Sequence, residues 1–364
     1  MYRWGLSVLC LVVATSAVSL AADWESAATP GAAATSNKRI GSQVLGQAAT
    51  KPFGRQTQAQ SSLTGKVRYI KVFGTVHAPV IVMSRRKMME SKAPGVRLEL
   101  TTLSSTPDIN QAILTNNADA GSLGAAPVLI GWSKGIPYRI GASLGSVPLK
   151  LITTRDEIKT LKDLKQYLAT SGAKIAVIGL GTLQHQFVQM AAEKEFGDPK
   201  ALDPYMVAMP QPDSRAALKA KRDIAARVSS PPALTVELKE QGVRELADAF
   251  EVAGVMFPLA TVVVSRRFHD EQPEVYRLFI ETLKEAMDWI AANPDETAKI
   301  LSEEAGGKIP PAVFLQDLRT TKFDITPRGI MRFSDFMLKT GQISKKPSSW
   351  RDLTWPNLHG LNGN

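Results

Sequence analysis

Two successive runs of strand–helix alternation constrain this 364-residue chain more than any other feature. From Lys66 the first run predicts strands over 67–73, 96–101, 118–123 and 138–144, with helices over 77–91, 107–116 and 126–134 between them. The pattern then restarts. A strand over 149–154 is followed by a helix from Leu161, a strand over 174–178, and further strands over 205–208 and 223–228. The β-branched run 258–265 predicts one more buried strand. Four helices follow, over 273–292, 294–305, 310–319 and 327–340, each opening at a proline, the residue favoured in the first helical turn. Such alternation predicts an α/β fold with parallel sheets. Its repetition predicts two α/β halves, the second starting at Leu149. Ligands gather at the carboxyl ends of strands in open parallel sheets, so two such halves facing each other make a ligand cleft.

The amino terminus bears on the compartment. Met1-Tyr2-Arg3 is a short positive segment, residues 5–20 are apolar with small side chains, and Ser19-Leu20-Ala21 is a small-x-small cleavage site. Residues 1–21 therefore read as a secretory signal peptide; an uncleaved anchor is the competing reading, because the apolar run nearly reaches spanning length. Residues 22–65, rich in Ala, Thr, Ser, Gln and Gly without apolar periodicity, predict a disordered leader. The only cysteine, Cys10, lies in the apolar run without a lipoprotein-like context. Cleavage leaves no cysteine, which excludes disulfides, cysteine nucleophiles and thiolate metal sites.

The formal charge is +10, from 44 basic and 34 acidic residues. The basic residues are scattered in pairs and triplets (Arg85-Arg86-Lys87, Arg266-Arg267, Lys345-Lys346) without the aromatic interleaving of single-strand nucleic-acid binders. They read as solvated faces. A basic balance fits an anionic partner without identifying one.

The stretch AVIGLGTLQHQF, 176–187, sends a strand through Gly179-Leu180-Gly181-Thr182 into a helix. A dinucleotide fingerprint needs a third glycine where Gln184 stands. The geometry common to both readings is a helix N-terminus with unpaired N–H groups and positive dipole potential, a cradle for a small anion. No cofactor and no metal are expected.

Four stretches in fixed order resemble the periplasmic solute-binding proteins of ABC importers for nitrate, sulfonate and taurine (the SsuA-like group): VFGTVHAPVIV (72–82), QAILTNNADAGSLGAAP (111–127), LKDLKQYLATSGAKIAVIGLGTLQHQFV (161–188) and ALKAKRDIAARVSSPPA (217–233). GQISKKPSSWRDLTW (341–355) is similar as well. The chain departs from the family pattern at Gln166, where a glycine is usual, and at Ile224, where an alanine is usual. The resemblance implies a periplasmic binding protein type II-like fold, two α/β lobes around a hinge with a ligand cleft, lobe I discontinuous (66–147 and 256–364) and lobe II continuous (148–255), and a non-enzymatic role: capture of a small, oxyanionic solute and its delivery to a membrane permease, by a monomer that binds no nucleic acid. Enzymes on related folds use cysteines that the cleaved chain lacks, and no Gly-x-Ser-x-Gly elbow is present. An uncharged or aromatic solute such as a pyrimidine precursor, or a sensor or scaffold domain reusing the fold, are the alternatives.

By motif match, the strand-end loops line the cleft. In lobe I these are His77, Ala78 and Pro79; Ser104, Ser105 and Thr106, which also fit a helix cap; and Gly124 and Ala125, which offer unobstructed backbone N–H groups. In lobe II they are Gly181, Thr182 and His185, then Ser229 and Ser230. Phe257 sits where the chain crosses back and packs on a ligand or on the hinge. His77 and His185 each have a packing role as the competing reading. Asp119 and Asp223 read as turn-holding residues, and Arg227 as outward and solvated.

Overall fold

The computed structural model describes residues 62–103 and 106–364. The expected signal peptide, the leader up to residue 61, Ser104 and Ser105 lie outside the described residues. The first part of the chain runs β1 (Thr64–Lys71), α1 (Ala78–Arg85), α2 (Met88–Lys92), β2 (Gly95–Thr102), α3 (Pro107–Leu114), β3 (Ala120–Leu123), α4 (Ala125–Ser133) and β4 (Tyr138–Gly145). The second runs β5 (Lys150–Thr153), α5 (Leu161–Ser171), β6 (Lys174–Val177), α6 (Leu183–Phe196), β7 (Met206–Ala208), α7 (Gln211–Lys219), β8 (Ile224–Ser229), α8 (Ala233–Glu237), β9 (Arg244–Asp248) and α9 (Ala249–Ala253). Then come β10 (Ala260–Ser265), α10 (Arg266–Glu271), α11 (Pro273–Ala292), α12 (Pro294–Glu304), α13 (Pro311–Thr320) and α14 (Ile330–Lys339).

Two five-stranded sheets form, in the orders β2-β1-β3-β10-β4 and β7-β6-β8-β5-β9. Their architecture is the same. A leading strand (β1 or β6) pairs in parallel with the strands on either side, and one strand that has just crossed from the other lobe (β10 or β5) runs antiparallel to both of its neighbours. The sheets are therefore mixed, which corrects the expectation of parallel sheets. Periodicity marks a strand but not its direction, and a strand arriving from the hinge side enters its sheet from the opposite end. β10, ATVVVS, is buried at every position, as a strand covered on both faces requires.

Other boundaries shift for local reasons. The helix expected over 77–91 is two helices, broken at Lys87, which takes a left-handed conformation at φ 50°. The last helix starts at Ile330 after Gly329 rather than at Pro327. Thr64 and Gly65, assigned to the leader, already belong to β1. Strand β9, RELAD, lies at a sheet edge and is only half-buried, so it lacks the apolar run that would reveal it. Among the described residues no helix is long and apolar enough to cross a membrane.

The crossing segments are braced by the carboxyl-terminal part. Phe257 stacks edge-on against Phe250 of α9 (centroids 5.0 Å apart) and Phe333 of α14 (4.8 Å). Gln342, just after α14, bonds to Gln186 and Gln189 of α6. Trp355 donates its indole N–H to the Val264 carbonyl and stacks on His269 at 3.7 Å.

Candidate functional site

A cavity of about 70 Å³ lies between the lobes. The first lobe contributes the loop after β1 (Phe73, Gly74, Val76, His77), Thr106 before α3, Ser122 in β3 and Gly124 before α4; the second contributes Ile178, Thr182, Leu183, Gln184, Gln211 and Ser230. Leu259 and Ala260, where the chain re-enters the first sheet, complete one wall. Every contributor sits at a strand end or a helix start.

Two helices open onto this cavity from opposite lobes. α4 begins after Gly124 and α6 after Thr182; neither has a side-chain cap, and neither has an acidic residue in its first turn. Side-chain caps occur on three helices, a Thr160–Asp163 capping box on α5, Asp248 on α9 and Ser265 on α10, while the other α-helices among the described residues have none, so it is their place at the cavity that sets α4 and α6 apart. Thr182 holds the cap position but spends its hydroxyl on the Gly179 carbonyl at 2.6 Å. The first amides of α6, and those of Ala125 and Ala126 in α4, are thus left without a side-chain cap, Pro127, which lines the cavity, carries no N–H, and both macrodipoles put positive potential in the same space. The two helix starts are in close apposition: a Cβ built on Gly124 would lie 3.2 Å from Cβ of Leu183. No Asp, Glu, Lys or Arg is among the cavity's described lining residues.

Among the cavity's described lining residues His77 is the one titratable group. Burial, with the nearby positive charge of Lys71, pushes its pKa down to about 3, so the imidazole is neutral. Nδ1 is buried without a partner. A neutral imidazole has one donor and one acceptor nitrogen, so His77 adds a hydrogen-bonding group to the lining without adding charge. Lys71 itself is committed, donating to Thr102 Oγ1 at 2.9 Å and pairing with Glu304 at 3.2 Å. Gln184 accepts the Ile178 N–H through Oε1 at 2.8 Å, leaving its Nε2 group without a partner among the described residues.

Of the expected site residues, the structure brings His77, Thr106, Gly124, Thr182 and Ser230 together at the cavity. Ala78, Pro79 and Ala125 are buried inside α1 and α4, one position or more beyond the loops that reach it. Gly181 is occupied: its N–H donates to Nδ1 of His185 at 2.9 Å. His185 therefore closes the turn and faces Asp203 (3.7 Å) rather than the cavity, and burial lowers its pKa against the opposing pull of that carboxylate. Ser229 bonds to Arg227 and Glu237 in the lobe interior. Phe257 belongs to the hinge stack described above. Arg227, expected outward, is fully buried, bonded to Glu237, Ser214, Ser229 and Gln211. Asp119 accepts from Arg68 and Arg267 and holds the turn into β3. Sequence reasoning missed Phe73, Ser122, Gln184 and Gln211. Gln184 had a signal: it stands in the first helical turn at the place a third glycine would fill. Among the described residues no cluster of three His, Cys, Asp or Glu is placed to hold a metal ion.

The family model of the NMT1-like family matches residues 66–303. The chain belongs to that family. Among solved structures it is similar to the alkanesulfonate-binding protein SsuA of Xanthomonas axonopodis pv. citri bound to MOPS, at 16% identity and a TM-score of 0.66, covering 81% of this chain and 99% of that one. The periplasmic aliphatic sulphonate binding protein SsuA of Escherichia coli aligns at 17% identity and a TM-score of 0.62, over 82% and 94% of the two chains. The periplasmic nitrate-binding protein NrtA of Synechocystis PCC 6803 aligns at 14% and 0.57, over 70% and 69%. No curated protein matches the sequence. At these identities the likeness establishes the fold: this NMT1-like chain has the periplasmic binding protein architecture, two α/β lobes with the cavity between them.

Proposed function

We propose that this NMT1-like protein is the non-enzymatic solute-binding component of an ABC importer, exported through its amino-terminal signal to the periplasm and acting as a monomer. Lobes 66–147 with 256–364, and 148–255, close on a solute that is then handed to a membrane permease. The solute is a small mono-anion with an oxyanion head, of the sulfonate or nitrate kind. The observation that carries this reading is the apposition of two uncapped helix N-termini across a cavity whose described lining has no charged side chain. Amide donors and dipoles stabilise negative charge there, and the neutral His77 and the Gln184 amide add donors without adding charge. A site built only from dipoles favours one negative charge over two, because the desolvation cost of a dianion is far larger.

Titration calorimetry with nitrate, methanesulfonate, ethanesulfonate, taurine and sulfate tests this. The monovalent sulfonates or nitrate bind and sulfate does not. Taurine binds more weakly than ethanesulfonate, because no described lining residue offers a carboxylate to its ammonium. The lack of a cationic side chain also favours a second reading, an uncharged aromatic solute. Preferential binding of a neutral aminopyrimidine over every anion in the panel replaces the first reading with the second.

A further inference from the structure

A cavity of about 440 Å³ lies within the first lobe, where α11 ends, α12 begins and α13 ends, and the segment 321–323 completes it. It shares no lining residue with the interlobe cavity. Its size falls in the range of small-molecule sites, about 300–1,000 Å³. The walls are mostly apolar, with Ile290, Leu318 and Phe323 among them.

Three charged groups stand exposed on its rim: Asp288, Asp295 and Arg319. Among the described residues none of these side chains has an ion-pair or hydrogen-bond partner, and they do not pair with one another. Helix dipoles favour two of the three where they are. Asp295 lies in the first turn of α12 and Arg319 in the last turn of α13. Asp288 is the opposite case. It lies about one turn from the carboxyl end of α11, the end at which a negative charge is disfavoured. Two carboxylates and one guanidinium thus face one apolar hollow, each still free to take a partner of opposite charge.

We propose that this cavity is a second binding site, separate from the interlobe one, and that it takes an apolar α-amino acid. The ammonium group pairs with Asp288 and Asp295, the carboxylate pairs with Arg319, and the side chain lies against Ile290, Leu318 and Phe323. A zwitterion with an apolar side chain answers every feature of the lining. An inorganic cation would leave Arg319 and the apolar walls unused, and a simple carboxylate would leave both aspartates unpaired.

The test is calorimetric titration of the full mature protein, at low ionic strength, with leucine, phenylalanine, alanine, isoamylamine and isocaproate. Leucine and phenylalanine bind. Affinity falls about fourfold for each carbon removed between leucine and alanine, the equivalent of about 0.8 kcal/mol. Isoamylamine and isocaproate each lack one of leucine's charges and bind about two- to fivefold more weakly, the effect of an exposed ion pair. Arg319→Gln makes leucine and isoamylamine bind alike. Ala291→Trp fills the cavity from an exposed position on its wall and abolishes leucine binding. Ala291→Leu, a smaller change at the same position, weakens it. Gly124→Val alters the interlobe cavity and leaves leucine affinity within about twofold, as expected for a distant site. Failure of leucine and phenylalanine to bind overturns the proposal. Leucine binding that persists unchanged in Ala291→Trp, or that is lost in Gly124→Val, overturns it as well, because the amino acid then lies elsewhere. Isoamylamine binding as tightly as leucine to the wild-type protein overturns the zwitterion.

Discussion

Asp317 of α13, in the first lobe, accepts a hydrogen bond from the hydroxyl of Thr235 in the second, while its other oxygen accepts one from Thr75 at 2.7 Å. Asp317 is buried, and Thr75 belongs to the turn that carries His77 into the cavity. One side chain therefore ties the binding loop to the opposite lobe. Lys239 of the second lobe also donates to Gln316 of α13 in the first. Thr235→Val keeps the shape of the threonine and removes only the cross-lobe bond. Hydrogen bonds to charged groups contribute about 1.5–3 kcal/mol, so the closed form should lose roughly ten- to a hundredfold in population. Small-angle scattering of the unliganded protein should show a larger radius of gyration than wild type, and an unchanged radius would refute the latch.

The same group sets a pH dependence. Burial pushes the pKa of Asp317 up to about 6 from its ordinary 3.8, against the opposing effects of Thr235, Thr75 and Lys239. When the lobes part and water reaches the carboxyl, its pKa falls back toward the ordinary value. The closed form then binds the proton more tightly than the open one. Closure strengthens as pH drops through 6, with the gain complete below about 4 and at most on the order of a hundredfold. Scattering at pH 8 and pH 4.5 should show contraction at the lower pH, and Asp317→Asn should abolish that difference.

His77 works in the opposite direction on global stability. Its folded pKa of about 3 lies below the ordinary 6.5, so the unfolded chain takes up the proton first. The stability it permits is complete above pH 6.5 and is lost as pH falls from there toward 3, by about 1.4 kcal/mol per pH unit at the steepest. His77→Asn keeps a side-chain donor and removes the titration. Urea unfolding at pH 7.5 and 4.5 should show a smaller loss for the variant than for wild type. His77→Ala removes the donor and should weaken binding of the tightest sulfonate by roughly tenfold to a hundredfold, with His77→Asn retaining most of the affinity.

Much of this architecture was legible because apolar periodicity reports burial, and burial is what a doubly covered strand such as β10 must have. Strand direction and the edge strand β9 were not legible: the first depends on where the chain comes from, and the second has no apolar run. At the site, loop position was readable and side-chain partnership was not. Gly181 lies in the expected turn, yet its amide is taken by His185 four residues on. Arg227 looked solvated because its partners, Glu237 and Gln211, are ten and sixteen residues away in sequence and meet it only once α7 and α8 pack. Gln184 stood out only as the residue that breaks a dinucleotide fingerprint, and Gln211 not at all, because a glutamine at a helix start has no motif of its own.

Arg227 also fixes a cavity wall. Its guanidinium bonds to Glu237 and to the side-chain oxygen of Gln211, a lining residue of the cavity, so a buried ion pair fixes how that side chain lies. Arg227→Met strands the Glu237 carboxylate in the interior and should cost about 3–5 kcal/mol in denaturant unfolding. The double variant Arg227→Met, Glu237→Gln removes both charges and should recover most of that loss. Solute affinity should stay depressed in the double variant, because Gln211 is no longer held. Recovery of affinity along with stability would show that Arg227 acts on the fold alone.

Gly124 decides whether the lobes can meet at all. A Cβ at this position would lie 3.2 Å from Cβ of Leu183 and 3.3 Å from the Leu259 carbonyl oxygen, so a single methyl group already presses on the facing helix start and on the crossing strand. Neither neighbour is a flexible side-chain end, since one is a Cβ and the other backbone. Gly124→Ala should therefore weaken solute binding modestly, and Gly124→Val, with two more carbons directed into the same contact, should hold the lobes apart. The Leu183 contact lies between the lobes and the Leu259 contact within the first, so most of each lobe's packing is untouched and the thermal unfolding midpoint should fall by about 4–8 °C at most. Scattering should then report an expanded particle that added sulfonate does not contract. A Gly124→Val protein that still contracts with solute would mean that the two helix starts need not approach to bind it, and the paired N-termini would lose their role as the anion site.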